Sequence, residues 1–345
     1  MRGTMLLTPD ADTDELRDVV RAFLAKHCPP EPREQPGWDP AVWSRFAGEL
    51  GVAALDVPEH LGGAGATFRE VAAVAEETGR CVARLPWFGT AVLAVGVLRQ
   101  LGDAALLGRL ASGESTGTLA EADASLENGR LTGTAARVID GATADVLLVA
   151  AGGGLHLVEP DAPGLTRTPV RALDPSRPLA TLTFEATPAR ELVADAGGLL
   201  ARVRTRAGAA LAAEQTGGAA AATDAAVAYA GERIQFGRPI GTFQAIKHRC
   251  ADMAVRVEAA RSASLWAAAT VADDDPEASL AAATAGVVCG EAYTWVAGES
   301  VQVHGGIGFT WEHPAHLHVR RAATGAVLLG DHHGRRETVL RGLGV

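Results

Sequence analysis

The sequence has little of what marks secreted, membrane-spanning, metal-binding or nucleic-acid-binding proteins. It contains four cysteines in 345 residues, with no Cys-x-x-Cys pair and no Cys/His spacing typical of a metal site. No uncharged apolar run reaches the roughly 18 residues that a membrane-spanning helix needs. No Lys/Arg block offsets the net charge of −10. These absences exclude a disulfide-rich scaffold, a membrane span and a metal centre, and they argue against nucleic acid as a partner.

The start of the chain also lacks a secretory signal, because Asp10, Asp12, Asp14 and Glu15 interrupt it. We therefore expect a cytoplasmic protein whose cysteines are reduced thiols. Hydrophobic residues make up 48% of the chain and aromatic residues only 5%. Ala and Gly supply much of the apolar content, which predicts closely packed helices within a large core.

Hydrophobic periodicity divides the chain into helical, β and helical segments. We predict an N-terminal helical domain over residues 1–115, a middle β domain over 116–192 and a C-terminal helical bundle over 193–345. Alternating patterns separated by Gly, Pro and Asp favour an antiparallel meander or small β-barrel in the middle domain. Long helical patterns joined by short turns indicate a four-helix bundle, with helices at 196–231, 242–272, 276–303 and 314–330.

Between the first two bundle helices lies Arg233-Ile-Gln-Phe-Gly-Arg-Pro-Ile-Gly-Thr-Phe-Gln-Ala-Ile-Lys247. Arg233 supplies a forked donor suited to phosphate, and Phe236 offers an aromatic face. Thr242 is positioned to cap the following helix, and Gln244 falls in its first turn. By itself the stretch is also compatible with a simple helix–helix turn.

A second stretch, Gln302-Val-His-Gly-Gly-Ile-Gly-Phe-Thr-Trp-Glu-His-Pro314, follows the third bundle helix. It is a weak dinucleotide fingerprint, because it follows a helix where that fingerprint follows a strand. Gly305 and Gly306 leave the backbone bare enough to lie against a flat or phosphorylated ligand, and Gln302 adds a donor. The alternative is a glycine-rich helix end before a Pro-started helix.

Together the motifs RxxFGxxIxxFQ and QxHGGxGFTxExP, with the loop Val57-Pro-Glu-His-Leu-Gly-Gly-Ala-Gly65, resemble the acyl-CoA dehydrogenase family. The resemblance covers nearly the whole chain. It implies that family's helical, β and four-helix-bundle domains, with FAD at a subunit interface. It further implies FAD contacts from the motif positions Arg233, Phe236, Gln244, Gln302, Gly305 and Gly306.

The chain departs from the family pattern at three places. The family's Thr-Glu-Pro and Gly-Ser-Asp loop, which holds the flavin ring and the acyl thioester, corresponds to residues 118–129 and is missing. The family's Trp-Ile-Thr strand, which backs the flavin, appears as Arg137-Val-Ile-Asp140. The catalytic glutamate of the last helix region aligns near Leu328-Leu-Gly-Asp331, where no Glu lies.

Desaturation of an acyl thioester needs a carboxylate to remove the α-proton, and a partly desolvated Glu suits this task. The family's second base position, early in the first bundle helix, counts to Ala207. Glu214 lies two turns further along the same helix face, and we take it as the candidate base. Asp331 is the second candidate, while His332 and His333 are expected at the surface or at an interface. A structural role for Glu214 is the alternative.

The pattern of kept and lost residues resembles one subunit of the heteromeric actinobacterial enzymes of steroid side-chain breakdown. The leading hypothesis is an FAD-dependent subunit supporting α,β-desaturation of an acyl thioester, with an electron-transfer acceptor and a homo- or hetero-oligomeric partner. One alternative is a self-sufficient homo-oligomer with Glu214 as base. Others are a non-catalytic structural or regulatory subunit, and a fold relative acting on carrier-protein thioesters or in non-redox chemistry.

Overall fold

A computed structural model describes residues 7–31 and 37–344, which form ten α-helices and ten β-strands. The helices are α1 (Ala11–His27), α2 (Pro40–Ser44), α3 (Phe68–Arg80), α4 (Val95–Leu101), α5 (Ala104–Ala111), α6 (Gly197–Glu232), α7 (Gln244–Ala272), α8 (Ala278–His304), α9 (Ala315–Val327) and α10 (His332–Gly342). The strands are β1 (Gly117–Glu121), β2 (Asp123–Glu127), β3 (Arg130–Ile139), β4 (Val146–Ala151), β5 (Gly154–Val158), β6 (Leu165–Val170), β7 (Leu179–Pro188), β8 (Arg190–Val193), β9 (Ile234–Gln235) and β10 (Arg238–Pro239). The order of helices, then strands, then helices agrees with the prediction.

The predicted β-barrel is wrong, because the described strands form two separate four-stranded sheets and no closed barrel. One sheet has the order β1-β4-β5-β8 and the other β2-β3-β7-β6. β1 runs parallel to β4, with Gly117 opposite Val146. The alternating pattern predicted β structure correctly in this part of the chain. It could not predict pairing between distant segments, because the pattern records which face of a strand is buried and not its neighbour.

The chain divides into two compact units. One unit comprises residues 34–67 and 84–207, and contains both four-stranded sheets together with α2, α4 and α5. Strand β4 is buried on both faces. Val146 and Leu148 belong to one hydrophobic cluster, and Leu147 and Val149 belong to another. This double burial explains why β4 reads as an unbroken apolar run.

In the same unit, an ion pair fixes the segment just before the Val57–Gly65 loop. Asp56 and Arg206 are both buried, and the Arg206 guanidinium donates to both Asp56 carboxylate oxygens. Burial alone would raise the pKa of Asp56, but the charges and hydrogen bonds of Arg206, with the charge of Arg99, hold that pKa below its usual value.

The other unit comprises residues 1–33, 68–83 and 208–345. Helices α3 and α6 approach each other closely at two glycines. A Cβ on Gly79 would lie 1.9 Å from the carbonyl oxygen of Glu214, and one on Gly217 would lie 1.8 Å from that of Glu76. Neither position therefore tolerates a side chain without a shift of a helix. The close helix packing predicted from the Ala- and Gly-rich composition is confirmed here.

Helices α6 to α9 lie within a few residues of the four predicted bundle helices, while α10 was not predicted. The segment Ala278–Phe309, which contains α8, is long and apolar enough to cross a membrane by length and composition. However, 56% of its apolar window is buried inside the protein, as in the core helix of a bundle. The proposed domain boundaries at residues 115 and 192 stay a prediction.

Candidate functional site

The first motif forms a compact exposed turn after α6. Strand β9 pairs with β10, and the Ile240 amide donates to the Arg233 carbonyl oxygen at 2.8 Å. At the tip, Phe236 is 92% exposed and has a φ of +51°, a conformation uncommon outside glycine. The Arg238 guanidinium lies 4.2 Å from the centre of the Phe243 ring. The turn thus exposes the side chains of Arg233 and Arg238 and the aromatic ring of Phe236.

The proposed capping role of Thr242 is wrong. Its hydroxyl donates to the Pro239 carbonyl oxygen at 2.7 Å, so it closes the turn. Helix α7 begins at Gln244, and the residue before it, Phe243, makes no side-chain capping hydrogen bond. The amides of the first turn of α7 therefore receive no side-chain oxygen from the residue before the helix, and Gln244 is exposed there.

The second motif ends α8 with a bare backbone. Gly305 adopts φ +63° and ψ −140°, a region essentially restricted to glycine. Gly306 follows in a short 3₁₀ turn that runs from Gly305 to Phe309. Apart from the neighbouring residues, no atom of the part of the chain that the structure describes lies within 4 Å of where a Cβ would stand on either glycine. The backbone is therefore open to a ligand or to a partner chain.

Ring contacts bring the two motifs together at the end of α6. Tyr229, one turn before Arg233, stacks at 4.7 Å on His304, which directly precedes Gly305. The His304 Nδ1 atom lies 2.7 Å from the Ser300 carbonyl oxygen, which fixes the ring at the end of α8. The six predicted cofactor residues, Arg233, Phe236, Gln244, Gln302, Gly305 and Gly306, are all exposed. Motif recognition found these residues but missed the Tyr229–His304 contact that joins their loops.

Further exposed aromatic residues flank the second motif. Phe309 is 87% exposed and Trp311 is 59% exposed. The Arg320 guanidinium lies 4.3 Å from the Trp311 ring centre, which adds a cation–π contact at this surface. Large exposed aromatic side chains beside positive charge are typical of a surface that a ligand or another subunit covers.

Glu214 lies in a different environment, deep in the middle of α6. It is 2% exposed, and its Oε1 accepts a hydrogen bond from Arg321 Nη1 at 3.0 Å. Arg321 also donates to the Ala83 carbonyl oxygen. Eighteen residues of α6 separate Glu214 from Glu232 at the helix end, about 27 Å at the usual rise. These contacts favour a structural role for Glu214, and its role as base stays a prediction.

Sequence reasoning missed Arg321, although a signal was present. Leu317 and Arg321 are four residues apart on α9, so they share a helix face, and both are buried. A basic residue on the apolar face of a predicted helix implies a buried acidic partner. The lone Glu in the Ala-rich part of α6 was the matching acid.

Asp331 is occupied as a helix cap. Its Oδ1 accepts the Gly334 amide hydrogen bond at 2.9 Å at the start of α10. This hydrogen bond is the main cause that lowers the pKa of Asp331, so the carboxylate is a weak proton acceptor. Leu329 and Gly330, just before it, both have positive φ values. His332 is half-buried, whereas His333 is exposed as predicted.

In the unit that contains the two four-stranded sheets, two of the stretches that depart from the family pattern are hydrogen-bonded to each other. The buried Thr118 hydroxyl donates to the Ile139 carbonyl oxygen at 2.6 Å. Asp140 is 4% exposed, and its amide donates to the Pro178 carbonyl oxygen. A Cβ on Gly89 would lie 2.8 Å from the Asp140 carboxylate. These groups already have protein partners, so they offer little to a flavin ring.

The described residues contain no group of three or more His, Cys, Asp or Glu side chains that could hold a metal ion. None of Cys28, Cys81, Cys250 and Cys289 forms a disulfide within the described part of the chain. Burial raises the pKa of the Cys289 thiol to about 12, which makes it unreactive at neutral pH.

Comparison with known proteins gives consistent matches along the chain. The family described as "Acyl-CoA dehydrogenase, N-terminal domain" matches residues 10–114, and "Acyl-CoA dehydrogenase, C-terminal domain" matches residues 199–344. The acyl-CoA dehydrogenase IpdE2 of Mycobacterium tuberculosis is 36% identical over 94% of both chains.

Two solved structures have closely similar folds. In the ChsE4–ChsE5 complex of Mycobacterium tuberculosis, one chain superimposes with a TM-score of 0.88 at 28% identity, covering 99% of each chain. A variant of the steroid acyl-CoA dehydrogenase Tcur3481–Tcur3483 gives a TM-score of 0.85 at 30% identity, covering 97% of this chain and 99% of the other.

Proposed function

The chain belongs to the acyl-CoA dehydrogenase family, and on that premise we propose that it is one subunit of a heteromeric acyl-CoA dehydrogenase. The assembled enzyme desaturates an acyl thioester between its α- and β-carbons, with FAD at an interface between unlike subunits. The observation that carries this proposal is a contrast within the chain. Six exposed residues lie in the turn after α6, at the start of α7 and at the end of α8, whereas Thr118 and Ile139 are bonded to each other where the family contacts the flavin ring.

The chemistry of the exposed loops fits part of an FAD molecule. The Arg233 guanidinium can bond two phosphate oxygens, as a pyrophosphate requires. The bare backbone at Gly305 and Gly306 permits close approach of a phosphate or a flat ring. Phe236 provides an aromatic face, while Gln244 and Gln302 provide amide donors and acceptors. We propose that these six residues hold the cofactor across the subunit interface, and that a cofactor bound only by these open loops would be held weakly.

FAD supplies a hydride acceptor for the substrate β-carbon. The residues of this chain bind and orient that cofactor and, with the exposed Phe309 and Trp311, exclude water when a partner covers them. The two solved relatives named above are complexes, one of ChsE4 with ChsE5 and one of Tcur3481 with Tcur3483. These relatives support an unlike acyl-CoA dehydrogenase subunit as the partner, with an acyl-CoA as substrate.

We further propose that the partner subunit supplies the base that removes the α-proton. Leu329 lies in the loop where the family's catalytic glutamate aligns, and Asp331 in that loop caps α10. Glu214 is the remaining candidate within the chain, but its carboxylate already accepts a hydrogen bond from the buried Arg321 guanidinium. A cytoplasmic location and an electron-transferring partner remain part of the proposal.

The test is co-expression with a second acyl-CoA dehydrogenase-like chain, followed by native mass measurement and an assay of acyl-CoA-dependent dye reduction. We expect an assembly that contains both chains, with activity that requires both. Glu214→Gln in this chain should leave turnover within roughly tenfold of the wild type, since loss of a general base costs about 100-fold or more. A larger loss with FAD retained would make Glu214 the base. Full turnover by this chain alone would contradict the heteromer.

A further inference from the structure

One polar side chain in the interior of the helical unit has no role in the proposed function. Gln215 lies on α6 beside Glu214 and is 1% exposed. Neither its Oε1 nor its Nε2 atom has a hydrogen-bond partner among the described residues. A buried amide without a partner is costly, so native proteins nearly always satisfy it.

Glycines on two other helices leave space around this amide. A Cβ on Gly325 of α9 would lie 3.1 Å from Gln215 Nε2. A Cβ on Gly290 of α8 would lie 3.7 Å from both Gln215 Nε2 and Oε1. A side chain at Gly325 would crowd the amide, whereas one at Gly290 would only touch it and would instead crowd His332. The glycines thus leave the amide uncrowded.

The imidazole of His332 is a second group without a hydrogen-bond partner at Nδ1 among the described residues, and it also lies near the position of a Cβ on Gly290. The Cε1 atom of His332, at the start of α10, lies 3.0 Å from the position of a Cβ on Gly290. His332 Nδ1, bonded directly to Cε1, is also buried and without a partner among the described residues. Arg335 holds this end of α10 in place by donating to the carbonyl oxygens of Ala326 and Leu328.

The donors and acceptors define what can bind there. An occupant that satisfies both atoms of the amide must accept a bond from Nε2 and donate one to Oε1. Exchanging the two amide atoms, which have similar shape, leaves this requirement unchanged. A simple anion has no donor, and an ammonium ion has no acceptor. A hydroxyl oxygen has both, and a neutral imidazole can pair with it in either direction.

We propose that Gln215 and His332 form a binding site for a neutral hydroxyl oxygen within the bundle. That oxygen can belong to an ordered water or to a hydroxyl group on the acyl chain of the ligand. The second source rests on the proposed function, because it requires an acyl ligand that reaches α6 and α10. The first source does not, so the site can be tested without flavin or turnover.

The first experiment uses the purified protein, together with its partner subunit where the two co-purify. Gln215→Leu removes both hydrogen-bonding atoms at similar volume. Thr223→Val is the matched control on α6, because the Thr223 hydroxyl is buried but already bonds to the Ala219 carbonyl oxygen. With an oxygen bound, Gln215→Leu should lower the Tm more than Thr223→Val does. A crystal structure of the wild type should also show an oxygen within hydrogen-bond distance of Gln215 and His332.

A Gln215→Leu protein with a raised Tm, and no oxygen beside Gln215 in the wild-type crystal, would overturn the proposal. The source of the oxygen is tested with hexanoyl-CoA and 6-hydroxyhexanoyl-CoA. A larger thermal shift with the hydroxylated ligand, lost in Gln215→Leu, identifies the ligand hydroxyl. Equal shifts, with the oxygen present in crystals without ligand, identify water.

Discussion

The middle of helix α6 is buried, whereas the turn that follows its carboxyl-terminal end is exposed. In the middle, Glu214 is buried, paired with Arg321, and its backbone touches α3 at Gly79. After the end of the helix, Arg233 and Phe236 are exposed in a short turn. Buried ionic groups are held by partners from several helices, whereas exposed groups are free to meet a ligand or another chain. Glu214, two turns along the helix from the family's second base position, is held in a buried ion pair, and its role as base stays a prediction.

The largest effect is expected from removing the buried partner of Glu214. Arg321→Met leaves the buried Glu214 carboxylate without its guanidinium, which should cost about 3–5 kcal/mol of unfolding free energy. The double variant Glu214→Gln/Arg321→Met should recover part of the loss, because no buried charge remains. Urea unfolding measures both. Equal stability of Arg321→Met and the wild type would show that the pair contributes nothing.

A pH titration of stability tests a second buried group in the helical unit, His318. Burial, with the nearby charges of Arg321 and Arg80, lowers the pKa of His318 from 6.5 to about 4. Between these two pKa values, His318 binds a proton in the unfolded chain but not in the folded chain. Stability should therefore fall by about 1.4 kcal/mol per pH unit as the pH drops from 6.5 toward 4.

The control for this titration is His318→Gln, which keeps a polar group facing the Tyr293 hydroxyl but removes the titration. Its unfolding free energy should depend less on pH in that range. A His318→Gln protein with the wild-type slope would mean that other groups cause it.

At the exposed end of the comparison, Arg233→Ala should weaken FAD retention and leave folding intact. Loss of a charge-assisted hydrogen bond costs about 1.5–3 kcal/mol, or roughly 10- to 150-fold in Kd. Arg256→Ala removes an exposed arginine that stacks on Trp295, so it controls for charge. Flavin titration of the assembled enzyme provides the measurement. Equal flavin affinity in the two variants would remove Arg233 from the cofactor site.

The smallest effect concerns the backbone of the second motif. Gly305→Ala places a side chain at φ +63° and ψ −140°, which should cost about 1–3 kcal/mol in stability. Gly306 has open space around it and no positive φ, so Gly306→Ala should cost under about 1 kcal/mol. Thermal unfolding compares the two. Equal costs would indicate that the loop relaxes around either substitution.

Sequence patterns predicted the bundle helices well, because the 3.6-residue periodicity and the start signal at Pro314 act locally. The six cofactor candidates came from motif resemblance, and all six are exposed in the structure. The pairing of β1 with β4 was not predictable, since it joins segments whose pattern does not record a partner. The Glu214–Arg321 pair was missed because it joins helices 107 residues apart. The local pattern indicates that Arg321 is buried and needs an acidic partner, but it does not say where that partner lies.

The central claim is that this chain contributes one side of an FAD site shared with an unlike subunit. The most direct measurement is the visible absorption spectrum of the chain purified alone and after co-expression with its acyl-CoA dehydrogenase-like partner. We predict colourless protein alone and flavin absorption in the co-expressed complex. Stoichiometric flavin bound to the chain alone would contradict the claim, and so would a stable complex that contains both chains without flavin.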